Sequence, residues 1–304
     1  MAQPNSVDHL NESFSIPDLA RFEVGTGGLT RLAISTPAAS AHVYLYGAHV
    51  THFQPSGQQP VLFLSSKSIF EAGKPIRGGV PIIFPWFGPR ARDNVMHGFV
   101  RTRAWDIESV RQAENDAVEV VLSTRATEET RSLWPHDFTA TMRFVIGRQL
   151  EMTLRVENLS TAAFSFENAM HTYYAVSDVR NVELNGLQGT DYLDKNLDLK
   201  RVREEALVIK PRDSMDRVYL NSPSTCTIDD PALSRRIVVE KSGSQSTVVW
   251  NPWAENMAKF ADLAADEWSQ FLCVETANAK ENVVMLAPGA SHEMKAMVRV
   301  EPMR

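Results

Sequence analysis

Phe166-Glu167-Asn168-Ala169-Met170-His171-Thr172-Tyr173-Tyr174 reads as an extended strand carrying ionisable groups where a plain sheet would carry packing. In an extended chain, side chains at i and i+2 share a face. Glu167, Ala169, His171 and Tyr173 therefore point one way, and Phe166, Asn168 and Met170 the other. Far downstream, Phe271-Leu272-Cys273-Val274-Glu275-Thr276-Ala277-Asn278 sets a carboxylate inside an apolar strand. A lone strand histidine is ordinarily held by a neighbour, but two strands each interrupted by an ionisable group suggest one pocket.

The flanking sequence has the same texture. From Arg21, short β-like runs at 29–35, 42–46, 50–53 and 61–64 are separated by glycines and prolines such as Gly25, Pro37, Gly47 and Pro55-Ser56-Gly57. A run at 117–123 precedes a short helix over 127–135, with Thr127 as its cap and Glu128 and Glu129 in its first turn. Strands at 138–146 and 150–158 are joined by Gly147-Arg148-Gln149, a hairpin signal. Further strands are expected at 182–187, 206–210, 217–220, 224–229, 236–241, 247–251, 267–276, 283–287 and 292–300, with a short helix or loop over 253–265. The expected fold is all-β: a large antiparallel β-supersandwich with a few short helices. Residues 1–20 read as a lead-in holding a short helix that Pro17 ends, and 21–304 as a single domain.

Two prolines before Ile82 and three glycines make Lys74 to Arg90 a built loop rather than a regular element, because proline lacks the amide donor and glycine weakens strand and helix alike. It contains Pro75-Ile76-Arg77-Gly78-Gly79-Val80-Pro81, and Met96-His97-Gly98-Phe99-Val100-Arg101 comes next. Arginine beside two glycines suits anion binding, the side chain supplying a planar fork and the glycines close backbone N–H groups. The competing reading has Arg77 and Arg101 tying the loop to backbone carbonyls. His42, His49 and His52 invite a metal site, but no Cys or Asp stands at ligand spacing and strand alternation separates His49 from His52, so no metal is expected.

The 304 residues can bury a sizeable core without disulfides, and two cysteines, Cys226 and Cys273, fit a reducing compartment. A net charge of −6 argues against a protein that coats nucleic acid or anionic membrane. The start, Met1 to Ser6, lacks the basic and apolar segments of a signal peptide, and no apolar run is long enough to span a bilayer. A cytoplasmic, monomeric protein is expected.

Taken together, these words resemble the glucose-6-phosphate 1-epimerase (hexose-6-phosphate mutarotase) branch of the aldose 1-epimerase, or galactose mutarotase-like, superfamily. The resemblance is carried by the Arg77 and His97 stretches and by Phe84-Pro85-Trp86-Phe87-Gly88, Trp134-Pro135-His136-Asp137-Phe138 and Asn168 to Tyr174. It continues through Thr190-Asp191-Tyr192-Leu193-Asp194-Lys195, Asp216-Arg217-Val218-Tyr219, Val249-Trp250-Asn251-Pro252-Trp253 and Cys273 to Asn278, covering about residues 22 to 300 in the family's order. It implies a cofactor-free isomerase that interconverts the anomers of a hexose 6-phosphate. His171 and Glu275 fall on the family's catalytic positions, Arg77 and Arg101 on its phosphate-contacting arginines, and Asp216 on its sugar-contacting aspartate. Met96 stands where the family often has glutamine, beside His97, which is placed to touch the sugar.

The chemistry agrees with that pair. Anomerisation needs a base to take the proton on O1 and an acid to protonate the ring oxygen, each commonly contributing about 10²- to 10⁴-fold. Histidine titrates near neutrality, and burial in an apolar strand raises a glutamate toward it. Glu275 is expected as base and His171 as acid, with Asp216 holding hydroxyls or orienting the imidazole. Phe84, Trp86, Phe99 and Tyr173 are candidates to stack on the sugar. The alternatives are an epimerase of unphosphorylated aldoses, a non-catalytic sugar-phosphate-binding protein on this fold, and a lyase or glycosidase, for which no carboxylate pair is evident.

Overall fold

The computed structural model describes residues 6–90 and 95–303. The segment Met1 to Asn5, which bears on the signal-peptide expectation, lies outside them, as does Arg304. The all-β expectation holds: every strand ladder is antiparallel, and the helices are short. No described helix is long and apolar enough to cross a membrane.

The hairpin read from Gly147-Arg148-Gln149 shows why the sheets stack. Phe138–Ile146 and Leu150–Asn158 alternate buried and half-buried side chains along their full lengths. Their ladder sets Met142 opposite Leu154 and Phe144 opposite Met152, so one face of the hairpin is apolar up to Asn158 at its end. This hairpin lies within a nine-stranded sheet running from Val208–Ile209 at one edge to Asp106–Gln112 at the other. An eight-stranded sheet packs against it, contributing Met170, Tyr174, Val249, Leu272 and Val274 to the same core. At the chain start, Ala20–Val24, Thr30–Ser35, Ala39–Tyr44 and His49–Pro55 form a four-stranded meander in sequence order.

Several expectations shift for physical reasons. The strand expected at 61–64 is no ladder; Leu62 and Leu64 make single bridges to Tyr174 and Gly78. Residues 267–270 form a 3₁₀ turn instead of strand, because the Glu267 carboxylate accepts from the Ser65 hydroxyl and the Ser66 and Ala264 amides. Polar-rich strands at Ala20–Val24, Asp106–Gln112, Asp191–Asp194 and Lys200–Arg203 give no sequence signal, lacking a continuous apolar face. The stretch read as a lead-in holds the helix Val7–Phe14, capped by Ser6, whose Leu10 enters the main core. Asn11 ties it to the first strand, donating to the Phe22 carbonyl and accepting from the Phe22 amide.

Two loop segments, Phe87 to Pro89 and Met96 to His97, form one wall of a hollow on the eight-stranded sheet. Their anchor is Gly98, which sits at φ +69°. A Cβ there would run into the Phe84 carbonyl oxygen, which accepts from the Phe99 amide at 3.1 Å. Gly98→Ala is therefore expected to lower stability by about 1–3 kcal/mol through overpacking and left-handed strain, read as a lower urea midpoint with unchanged slope.

Candidate active site

The sheet register builds the site. Phe271–Asn278 is buried along its whole length because both its faces are covered. Leu272 and Val274 face the main core, so alternation turns Cys273 and Glu275 to the opposite, concave face. On its flanks Tyr173 pairs with Cys273 and Trp250 with Cys273, while Val248 pairs with Glu275. One strand further, Asp216 pairs with Trp250 and Val218 with Val248. The long strand read around His171 is in fact two short strands, Asn168–Met170 and Tyr173–Ala175, with His171 and Thr172 between them. The expected division of faces survives the break: Phe166 and Met170 enter the main core, whereas Ala169 and Tyr173 belong to clusters on the other side.

The result is a cavity of about 590 Å³, of a size usual for small-molecule sites. The acid–base and polar candidates from the sequence line it: Arg77, Met96, His97, Arg101, His171, Asp216 and Glu275. At its floor, His171 Nε2 stands 3.3 Å from Glu275 Oε1, with both side chains almost wholly buried. The imidazole stacks on the Tyr173 ring, centroids 4.8 Å apart and planes 11° from parallel. His171 Nδ1 and Glu275 Oε2 are buried without a hydrogen-bond partner.

Burial pushes the Glu275 carboxyl well above its ordinary range, reinforced by Asp216 and opposed by Lys195 and Arg101. Burial also holds His171 well below the usual histidine value, helped by repulsion from Arg77, Arg101 and Lys195. Both shifts favour the pair's proton on Glu275 and a neutral imidazole at His171. Titration near neutrality, expected of His171, is overturned by that burial and by the cations beside it.

Arg77 donates to Asp262 Oδ2 at 3.1 Å and to the Tyr173 hydroxyl at 3.0 Å. Burial alone would weaken its charge, but Tyr173 and Asp262 hold the guanidinium firmly protonated. Arg101 donates to the Met96 carbonyl at 2.8 Å, as the loop-tying reading had it, yet its buried Nε keeps no partner. Burial and repulsion from Arg77 pull Arg101 down to about 10. The Arg-Gly-Gly glycines do not cradle an anion: the Gly79 amide donates to the Phe63 carbonyl, and a Cβ at Gly78 would sit 2.5 Å from that oxygen. They permit backbone contact, and the anion-binding potential resides in the arginine side chains.

Asp216 does not orient the imidazole; its Oδ1 lies 2.9 Å from Lys195 Nζ. His97 Nδ1 accepts from the Gly88 amide at 3.1 Å, which fixes the loop, while its ring rests 5.8 Å from that of His171. Of the aromatic candidates, Phe84, Trp86 and Phe99 lie in the main core and Tyr173 lies beneath His171. The aromatic lining instead comes from Phe87, Trp250 and Phe260. Trp250 could have been found two residues beyond Val248 on the same strand face; Phe87 and Phe260, set by loop geometry, leave no periodic signal. Lys195 and Asp262 leave none either, because only strand pairing and loop return bring them to the site.

No group of three or more His, Cys, Asp and Glu side chains among the described residues is placed to hold a metal ion. His49 is buried against the Gly78 carbonyl at 2.7 Å, and His52 lies 3.1 Å from the Ser40 hydroxyl.

The family model for aldose 1-epimerase matches residues 30–298. The chain belongs to the aldose 1-epimerase family. Relatives in this family include a Cenchrus ciliaris protein, 38% identical over 82% of this chain and 78% of its own length. An Escherichia coli protein is 37% identical over 83% of this chain and 84% of its own. Both carry the name "Putative glucose-6-phosphate 1-epimerase". The crystal structure of "a putative mutarotase (YeaD)" from Salmonella typhimurium superimposes with a TM-score of 0.88 at 31% identity, covering 95% of this chain and 96% of the other. This aldose 1-epimerase family member therefore shares the galactose mutarotase-like sandwich as well as the sequence words.

A carboxyl group whose affinity for protons is raised by folding stabilises the fold below about pH 4.5, and that contribution is lost as pH rises toward its folded value. Glu275→Gln removes the penalty. The variant is expected to melt close to wild type at pH 4.5 and increasingly above it as pH rises to 8, measured by thermal denaturation across that range.

Proposed function

We propose that this chain is a glucose-6-phosphate 1-epimerase, a cofactor-free isomerase that interconverts the α and β anomers of a hexose 6-phosphate. The observation that carries the reading is the 3.3 Å contact of His171 with Glu275 at the floor of a pocket also lined by Arg77 and Arg101. Glu275 takes the proton from O1 as His171 protonates the ring oxygen; the C1–O5 bond breaks and a C1 aldehyde forms. Rotation about C1–C2 and the reverse transfers close the other anomer. No net proton or electron is exchanged.

The protonation that burial favours fits this cycle. Neutral His171 with protonated Glu275, and imidazolium with carboxylate, hold the same single proton, so they are two forms of one coupled pair. The first is the form the pair takes while the open-chain aldehyde is bound. A phosphate dianion against Arg77 and Arg101 offsets two of the charges that keep a proton off His171, favouring the form needed to open the ring. A neutral sugar offers no such compensation, which weighs against the unphosphorylated aldose as main substrate.

Saturation-transfer NMR of the anomeric protons tests the proposal. Wild type should accelerate exchange of glucose 6-phosphate, and Glu275→Gln or His171→Ala should each lower that rate about 100-fold or more. Wild-type rates in either variant would reject the role given to that residue. Arg77→Ala is expected to raise KM for glucose 6-phosphate at least about tenfold, the scale of one charged hydrogen bond. The same change should not lower exchange of free glucose, since it removes a charge that keeps a proton off His171; equal loss for both sugars would sink the phosphate assignment.

A further inference from the structure

Lys195 is a pocket cation outside both the proton-transferring pair and the two arginines. It opens a 3₁₀ turn, Lys195–Leu197, directly after the strand Asp191–Asp194. That strand pairs Asp194 with Arg217, so the next residue meets Asp216 across the ladder. The turn is held: the Asp194 carboxylate accepts from the Asn196 amide at 2.9 Å, and the Asp194 carbonyl accepts from the Leu199 amide at 2.8 Å. Asp194 is itself 3.5 Å from Arg217 Nε, and Arg217 lies 3.5 Å from Glu204. The Lys195 ammonium is thereby fixed between Asp216 at 2.9 Å and the face of Phe87 at 4.7 Å.

The pocket cations divide into two ends. Arg77 is bound to Asp262 and Tyr173, beneath the imidazole. Lys259 is occupied by Asn256 at 2.6 Å. Lys195 stands with Asp216, whose Oδ1 has no aligned hydrogen bond despite the ion pair, so the contact is one of charge. The groups that act on Glu275 are His171 at 3.3 Å, then Lys195, Asp216 and Arg101. Cys273 and Tyr173 lie beside it on the same sheet face, and His97 and Lys280 lie further along the lining. Among the cations, Lys195 acts most strongly on Glu275, whereas Arg77 and Arg101 outweigh it at His171.

We propose that Lys195 is a positioning residue of the acid–base pair: its fixed ammonium favours the carboxylate form of Glu275, while the arginines serve the anionic end of the substrate. As the pair's proton passes to His171, negative charge appears on Glu275, and Lys195 is the cation set to receive it. Asp216 holds the lysine in place through its Oδ1 contact at 2.9 Å. This assignment rests on the epimerase reading, but its physical content does not require turnover.

The test compares wild type, Lys195→Met and Lys195→Arg. In kcat/KM for anomer exchange of glucose 6-phosphate against pH, the methionine variant should move the alkaline limb, set by loss of the Glu275 proton, upward. The expected shift is at least about one pH unit, the effect of a unit charge roughly 12 Å away at an effective dielectric near 20. The arginine variant should return the limb toward wild type. Inorganic phosphate should inhibit wild type and Lys195→Met with the same Ki. An unmoved limb, or a Ki raised tenfold, would overturn the proposal, the second by making Lys195 a phosphate ligand. Infrared titration of the Glu275 carboxyl band, identified by its loss in Glu275→Gln, reads the same shift without substrate. If wild type fails to exchange the anomers but that band moves, the reaction is wrong and the lysine assignment stands; if exchange proceeds and the band is fixed, the reverse holds.

Discussion

The site depends on one contact, made possible by strand register: an imidazole and a carboxyl group meeting across neighbouring strands at 3.3 Å. Met170 pairs with Thr276 and Tyr173 with Cys273, so the two residues between them on the short-stranded side must span Val274 and Glu275. Because strand faces alternate, a slip of one residue would bury Glu275 in the apolar core and lift Val274 into the pocket. The wholly buried strand Phe271–Asn278, with apolar neighbours beneath and aromatic neighbours above, makes such a slip costly. The geometry of the pair and the packing of the core are thus fixed by the same ladder.

The pocket concentrates unmet polar demand. Arg101 Nε, His171 Nδ1, Asp216 Oδ1 and Glu275 Oε2 are all buried without an aligned partner. Unpaired buried polar atoms cost stability in proportion to their desolvation, and the rest of the sandwich has ample apolar core to carry that cost. Of the lining residues, His97, Leu199 and Lys280 adopt left-handed conformations although none is glycine. Glu167 braces two of these loops at once, accepting from the amides of Phe87 and Lys280. Sheet rigidity and loop strain together hold polar atoms where a ligand can satisfy them.

The parts of this arrangement that obey period-two alternation are legible in the sequence. The hairpin 138–158 and the capped helix after Thr127 can be read from side-chain alternation and capping chemistry alone, and the interrupted strand at Glu275 announces its buried carboxyl. The imidazole's loss of proton affinity is not legible, since it arises from the burial and the three cations that folding gathers around His171. Strands such as Asp191–Asp194 and Lys200–Arg203 escape notice because their partners, not their own composition, make them extended. Lys195 belongs to that group: only the pairing of Asp194 with Arg217 reveals what it faces. The glycines beside Arg77 mislead for the opposite reason, a local motif taken by backbone packing.

The link from Arg77 to Asp262 bears on how the cavity discriminates among anions. A visitor reaching this guanidinium must outcompete a carboxylate already in place, so occupancy is set by a difference between two ion pairs. Weak or singly charged ions such as chloride or acetate gain little from the exchange, whereas a dianion with three oxygens can. The resident aspartate thus sets a threshold that any anion drawn to Arg77 has to exceed.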